Sequence, residues 1–94
     1  MNENSILLPT RNAAYRKIGD EVVIVDTANN RMMTLNASGS AIWTMLDGRA
    51  VSEIADGLTE AFQVEKAEAL EDVVAFLGEM EARGLVALRP KAER

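Results

Sequence analysis

Between Ala13 and Leu35 the apolar positions come in short runs broken by turn formers, and from Asn36 onward they recur at helical spacing. Ala13–Ile18 is extended in character and Gly19-Asp20 supplies a turn. Glu21–Asp26 then carries four consecutive β-branched residues, Val22, Val23, Ile24 and Val25, which suit a pleated strand. Thr27-Ala28-Asn29-Asn30 is a second turn, rich in residues that bond to their own backbone, and Arg31–Leu35 follows as a third strand. Three antiparallel strands in succession predict a meander.

Asn36 is a preferred helix N-cap, and Ala41, Ile42, Met45 and Leu46 predict a first helix of about three turns that Gly48 ends. A second helix is predicted from a cap at Val51-Ser52, with Ile54, Ala55, Leu58, Ala61 and Phe62 as its stripe. The third, Lys66 to Arg83, is the longest, and Gly84 closes it before an extended Leu85–Leu88. The order predicts an α+β fold of winged-helix-like type: a three-stranded antiparallel sheet followed by three helices. Residues 1–12 are expected to be a flexible or late-docking arm, 13–88 the domain, and 89–94 a charged tail.

The third helix has more apolar surface than one core requires. At about 100° per residue, Ala67, Ala69, Leu70, Val73, Val74, Phe76, Leu77 and Met80 fill one half of its wheel, nearly twice the stripe that packing against one core requires. Leu70, Val73 and Leu77 lie near the middle and are expected to face the core. Ala69, Phe76 and Met80 form one shoulder, Ala67 and Val74 the other. Either the shorter helices cover both shoulders, or Phe76 and Met80 line a groove for a partner. The third strand is expected to be a free edge, since the chain turns directly from it into a helix; such an edge invites an added strand. Trp43 reads as a core anchor.

Composition narrows the chemistry. The 94 residues hold no Cys and no His, which removes disulfides, thiolate and imidazole catalysis, and Cys/His metal sites. The adjacent acids Glu71 and Asp72 do not converge as catalytic carboxylates must. A non-enzymatic chain without metal or cofactor is the expectation. Fifteen acids against ten bases give a charge of -5, and the third helix alone carries six acids and two bases from Glu65 to Arg83, unsuited to releasing counterions from nucleic acid. No secretory signal or membrane-length apolar run is visible, so a cytoplasmic protein with neither nucleic-acid nor membrane partners is expected.

With Leu35-Asn36-Ala37-Ser38-Gly39-Ser40-Ala41-Ile42-Trp43 and then Leu46-Asp47-Gly48, the sequence resembles the PqqD family, small peptide-binding modules also called RiPP recognition elements. Gly19–Asp26 looks like the family's hairpin strand, Ser52-Glu53-Ile54-Ala55 with Leu58 resembles its second helix, and Asp72-Val73-Val74 through Phe76-Leu77 to Arg83-Gly84-Leu85-Val86 resembles its third helix and exit. The likeness spans about residues 15 to 88. It implies a cytoplasmic chaperone-like module that binds the leader of a ribosomally made precursor peptide and presents it to a modifying enzyme. That enzyme is a radical SAM protein in pyrroloquinoline quinone biosynthesis and a leader protease or other tailoring enzyme elsewhere.

The resemblance also implies a binding site. It places the leader as a strand with backbone contacts on Arg31, Met32, Met33 and Thr34, and side-chain pockets along the third helix; Leu35 beside the strand and Ala69, Val73, Phe76 and Met80 on the helix complete the expected site. On the helical wheel, independently of the resemblance, Asp72 and Arg83 border the Phe76/Met80 shoulder, where Asp72 is expected to pair with a leader Lys or Arg and Arg83 with an acid. Many relatives have an aromatic residue where this chain has Met32-Met33, which bears on the peptide preferred. A winged-helix regulator or protein-interaction domain is the alternative, and a homodimer through the same edge strand is a third reading.

Overall fold

Four β-branched residues in a row make Glu21–Asp26 the natural centre of a sheet. In the computed structural model, which describes residues 1–89, it is the middle strand of three. In chain order the elements are β1 (Leu7–Pro9), β2 (Ala13–Ile18), β3 (Glu21–Asp26), β4 (Arg31–Thr34), α1 (Ala37–Thr44), α2 (Val51–Phe62), α3 (Lys66–Ala82) and β5 (Val86–Leu88). The predicted meander is present as the antiparallel order β2-β3-β4, and three helices follow it. Helix α1 is shorter than the spacing predicts, because Met45 already leaves helical bonding and the chain turns towards Gly48. The cap of α2 is also displaced: Glu53 reaches back and accepts from the Ala50 amide at 2.7 Å, doing the work expected of Ser52.

Alternation decides the faces of the sheet. Val22, Ile24 and Asp26 point inward and are buried, while Val25 on the other face is exposed. Beneath the inner face, α1, α2 and α3 enclose a core that includes Ile42, Trp43, Ile54, Leu58, Val73 and Leu77.

The β3–β4 turn is organised by Asp26. Its Oδ1 accepts from the amides of Ala28 (3.1 Å) and Asn29 (3.2 Å), and its Oδ2 accepts from Asn29 Nδ2 (2.9 Å). Asn30 then takes a left-handed backbone with φ 59°. The Asn29 side-chain bond is the main reason the Asp26 carboxyl lies below its ordinary value of 3.8; burial opposes it, and the two amides and the Arg31 charge assist. A depressed pKa stabilises the fold fully above the unfolded-state value, and that contribution is lost as pH falls through the folded-state value. Acid unfolding below about pH 4 is therefore expected to be shallower in Asp26→Asn than in the parent, as followed by circular dichroism. Identical profiles would remove this role.

Residues 1–12 depart from the expected arm. Leu7–Pro9 pairs antiparallel with Val86–Leu88, Leu7 is fully buried, and the Arg89 amide donates to Ile6 O at 2.8 Å. The ribbon joins the segment before β2 to the segment after α3. Beyond Arg89, the expected tail lies outside the described residues. Among the described residues no helix is long and apolar enough to cross a membrane.

Candidate functional site

The route to the site starts at the phase of the β3–β4 ladder. The Leu35 amide donates to Val22 O at 2.9 Å, and the register pairs Ile24 with Met33 and Asp26 with Arg31. In an antiparallel pair the main-chain groups of successive residues point alternately towards and away from the partner. Arg31 and Met33 therefore face β3, while the N–H and C=O of Met32 and Thr34 face outward. The sheet order leaves that edge of β4 without a neighbour among the described residues. An added strand consequently meets the main chain of Met32 and Thr34, two of the five edge residues suggested by the sequence. The side chains alternate as well: Met33 packs against the core, and Met32 is 72% exposed on the outer face.

Where β4 ends, a hydroxyl replaces the ladder. Ser40 Oγ accepts from the Val22 amide (2.9 Å) and donates to Leu35 O (3.2 Å), so α1 is bonded to the sheet at the point where the strands separate. Asn36 caps α1 by accepting from the Gly39 amide at 2.8 Å, as its position predicts. At Gly39 the helix approaches α3 closely. A Cβ there would lie 3.1 Å from Phe76 Cε1 and 3.1 Å from Asn36 Oδ1, so glycine makes room for the ring.

A cleft of about 290 Å³ opens between the start of α1 and α3, beginning at Asn36, two residues beyond β4. Phe76 forms part of its wall, with Ile42 and Ala75 beside it and Asn36, Asp72 and Glu79 contributing polar groups. Phe76 is half-buried, so part of its ring remains available. A wider depression of about 890 Å³ lies on the other flank of α3, between Leu70, Val74 and the N-terminal Asn2–Asn4. No residue of the β2-β3-β4 sheet lines it.

Several expected site residues are elsewhere. Ala69 and Val73 are fully buried, and Met80 and Leu35 nearly so, as members of the core. The helix is turned towards the Phe76/Met80 shoulder relative to the expected orientation: Ala69, Val73, Leu77 and Met80 point inward, Leu70 is only half-buried, and Val74 is exposed. The physical reason is the width of the apolar half. A stripe that broad fits the core in more than one rotation, and contact with α2 and β5 selects one. Arg83 is also diverted, its Nη2 donating to Glu79 Oε2 at 2.9 Å one turn back. Of the expected pocket residues, Phe76 and Asp72 reach the cleft. Gly39 and Asn36 were missed as site residues, although the cap signal at Asn36 and a glycine inside a helix marked them.

The family model described as coenzyme PQQ synthesis protein D (PqqD) matches residues 21–86. No curated protein matches the chain. Among solved structures, the fold is similar to TbiB1 in complex with the TbiA(beta) leader peptide, with TM-score 0.78 and 26% identity over 92% of this chain and 99% of that one. It is similar to lasso peptide synthetase B1 complexed with the leader peptide, with TM-score 0.76 and 21% identity over 86% and 96% of the two chains. The PqqD truncation of Methylobacterium extorquens PqqCD, a stand-alone RiPP recognition element solved by NMR, is a third, with TM-score 0.70 and 20% identity over 87% and 88%.

Proposed function

Because this chain belongs to the PqqD family, we propose that it is a non-catalytic module that captures the leader of a ribosomally synthesised precursor by strand addition and presents it to a modifying enzyme. The observation that carries this is the adjacency of two features. Met32 and Thr34 turn their main-chain groups outward on a strand that ends two residues before Asn36, where a cleft walled by the half-buried Phe76 begins. Two similar structures hold leader peptides, which supports the same use here.

Main-chain bonds to β4 supply affinity that tolerates sequence variation, and apolar leader side chains in the cleft supply selection. Burying two or three aliphatic side chains contributes about 1.5–3 kcal/mol each. Ordering a disordered peptide costs about 2–5 kcal/mol, so micromolar binding is within reach. Asp72 at the rim favours a leader Lys or Arg, through encounter rate and specificity more than affinity. Hand-off to a radical SAM enzyme or a leader protease, in the cytoplasm, belongs to the same proposal.

The test is an NMR titration of the chain with candidate leader peptides. Shifts at Met32, Thr34, Gly39 and Phe76 are expected; a bound leader whose shifts avoid both β4 and the cleft refutes the proposal. Phe76→Ala is expected to weaken leader binding by more than about 1 kcal/mol by calorimetry while circular dichroism stays unchanged. Equal affinity would remove Phe76 from the site.

A further inference from the structure

The sheet has two edges, and the second also lies beside a cavity. On β2 the register with β3 pairs Ala14 with Val25, Arg16 with Val23 and Ile18 with Glu21, and the Thr27 amide donates to Asn12 O at 2.9 Å. By the same alternation, the main-chain groups of Tyr15 and Lys17 point away from the sheet. No strand among the described residues covers them. Between this edge and α1 lies a cavity of about 320 Å³, whose lining includes Tyr15, Arg16, Lys17, Trp43 and Asp47.

Three properties give this groove a chemistry of its own. Trp43 is 2% exposed, and its Nε1 is the one buried side-chain nitrogen or oxygen among the described residues with no hydrogen-bond partner. A buried donor left unpaired is costly, and this one belongs to a residue that lines the groove. Tyr15, 54% exposed, stands edge-on to Trp43 with ring centroids 5.3 Å apart, an aromatic surface open to solvent. Arg16 and Lys17 are exposed and enter none of the three ion pairs among the described residues, whereas Asp47 is held by Arg49 at 3.4 Å. Two uncommitted cations on a chain of charge -5 set this edge apart from the acidic flank of α3. Lysine on an edge strand also discourages self-association, but that role does not explain the exposed tyrosine ring beside it.

We propose that the β2 edge and the groove beneath it form a second strand-docking site, selective for an extended acidic segment of another polypeptide. Main-chain bonds form at Tyr15 and Lys17, and carboxylates of the segment meet Lys17 on the groove face and Arg16 on the opposite face of the strand. Since β2 and β4 are opposite edges of one sheet, both can be occupied together, and the module would hold two chains at once.

Trp43 is the chain's only tryptophan, so its fluorescence and indole N–H resonance come from one residue, which lines this groove. The probe is an acetylated, amidated heptapeptide repeating Glu-Glu-Val, which puts carboxylates on both faces of an extended strand, and its Lys-for-Glu counterpart is the control. Binding of the Glu peptide is expected to shift the Trp43 indole N–H and the Tyr15 and Lys17 amides, to weaken with added salt, and to fall at least tenfold in Arg16→Glu and Lys17→Glu. An indole resonance unmoved at millimolar peptide overturns the proposal. So do shifts confined to Met32 and Thr34, or equal binding of the Lys peptide. Leader titration of the same two variants separates this site from the first, because the β4 edge is unaltered in them.

Discussion

Leu7→Ala is expected to lower the stability of the whole domain by about 2–5 kcal/mol, the usual cost of truncating a buried leucine when the surroundings collapse only partly. Leu7 has no exposed surface and lies in a three-residue strand whose partner is β5. The contribution extends beyond one side chain. Thr10 Oγ1 donates to Gly84 O at 2.7 Å and the Thr10 amide to Leu85 O at 2.9 Å, so the ribbon also secures the exit of α3. Urea unfolding followed by circular dichroism measures the change. A loss below about 0.5 kcal/mol, the scale of an ordinary surface substitution, would mean that residues 1–12 are the loose arm their composition suggests.

Met32→Pro is expected to weaken leader binding about tenfold, or about 1.4 kcal/mol, with the sheet intact. The Met32 N–H points away from β3, so proline removes no ladder bond. The substitution eliminates one main-chain donor, worth about 0.5–1.5 kcal/mol net, and the ring obstructs close approach of a neighbouring strand. Met33→Pro is the informative contrast, since the Met33 N–H faces Ile24 across the ladder and its loss should destabilise the sheet itself. Calorimetry with a leader peptide, alongside thermal unfolding of both variants, checks the pair. A Met32→Pro variant that binds as the parent does would show that the leader does not add to β4.

The meander and its turns were legible because their signals are local. Asp26 bonds to residues two and three positions ahead, Asn36 to the amide three ahead, and both geometries depend only on which side chain stands at that position. The open edge of β4 was legible for a related reason: Asn36 caps a helix immediately after the strand, so the chain provides no adjoining next strand. Phe76 and Asp72, expected at the pocket from the helical period and the family resemblance together, both line the cleft. Ala69, Val73 and Met80 were assigned to the pocket because periodicity measures the breadth of an apolar stripe but not the direction in which it faces. The N-terminal strand was missed because three residues interrupted by a proline carry almost no pattern, and Leu7–Pro9 pairs with a segment at the far end of the chain.

Taken alone, the sequence determined the order of the principal elements, the caps and turns between them, the acidic character of α3 and the absence of thiol and imidazole chemistry. All of these follow from residue identity or from neighbours a few positions away. Tertiary structure decided which face of α3 is buried, that Arg83 is committed to Glu79, that Gly39 admits the Phe76 ring, and that β1 and β5 close into a ribbon. Rotation of a broadly apolar helix and pairing between distant strands depend on how surfaces fit together in space, and local periodicity does not encode that fit.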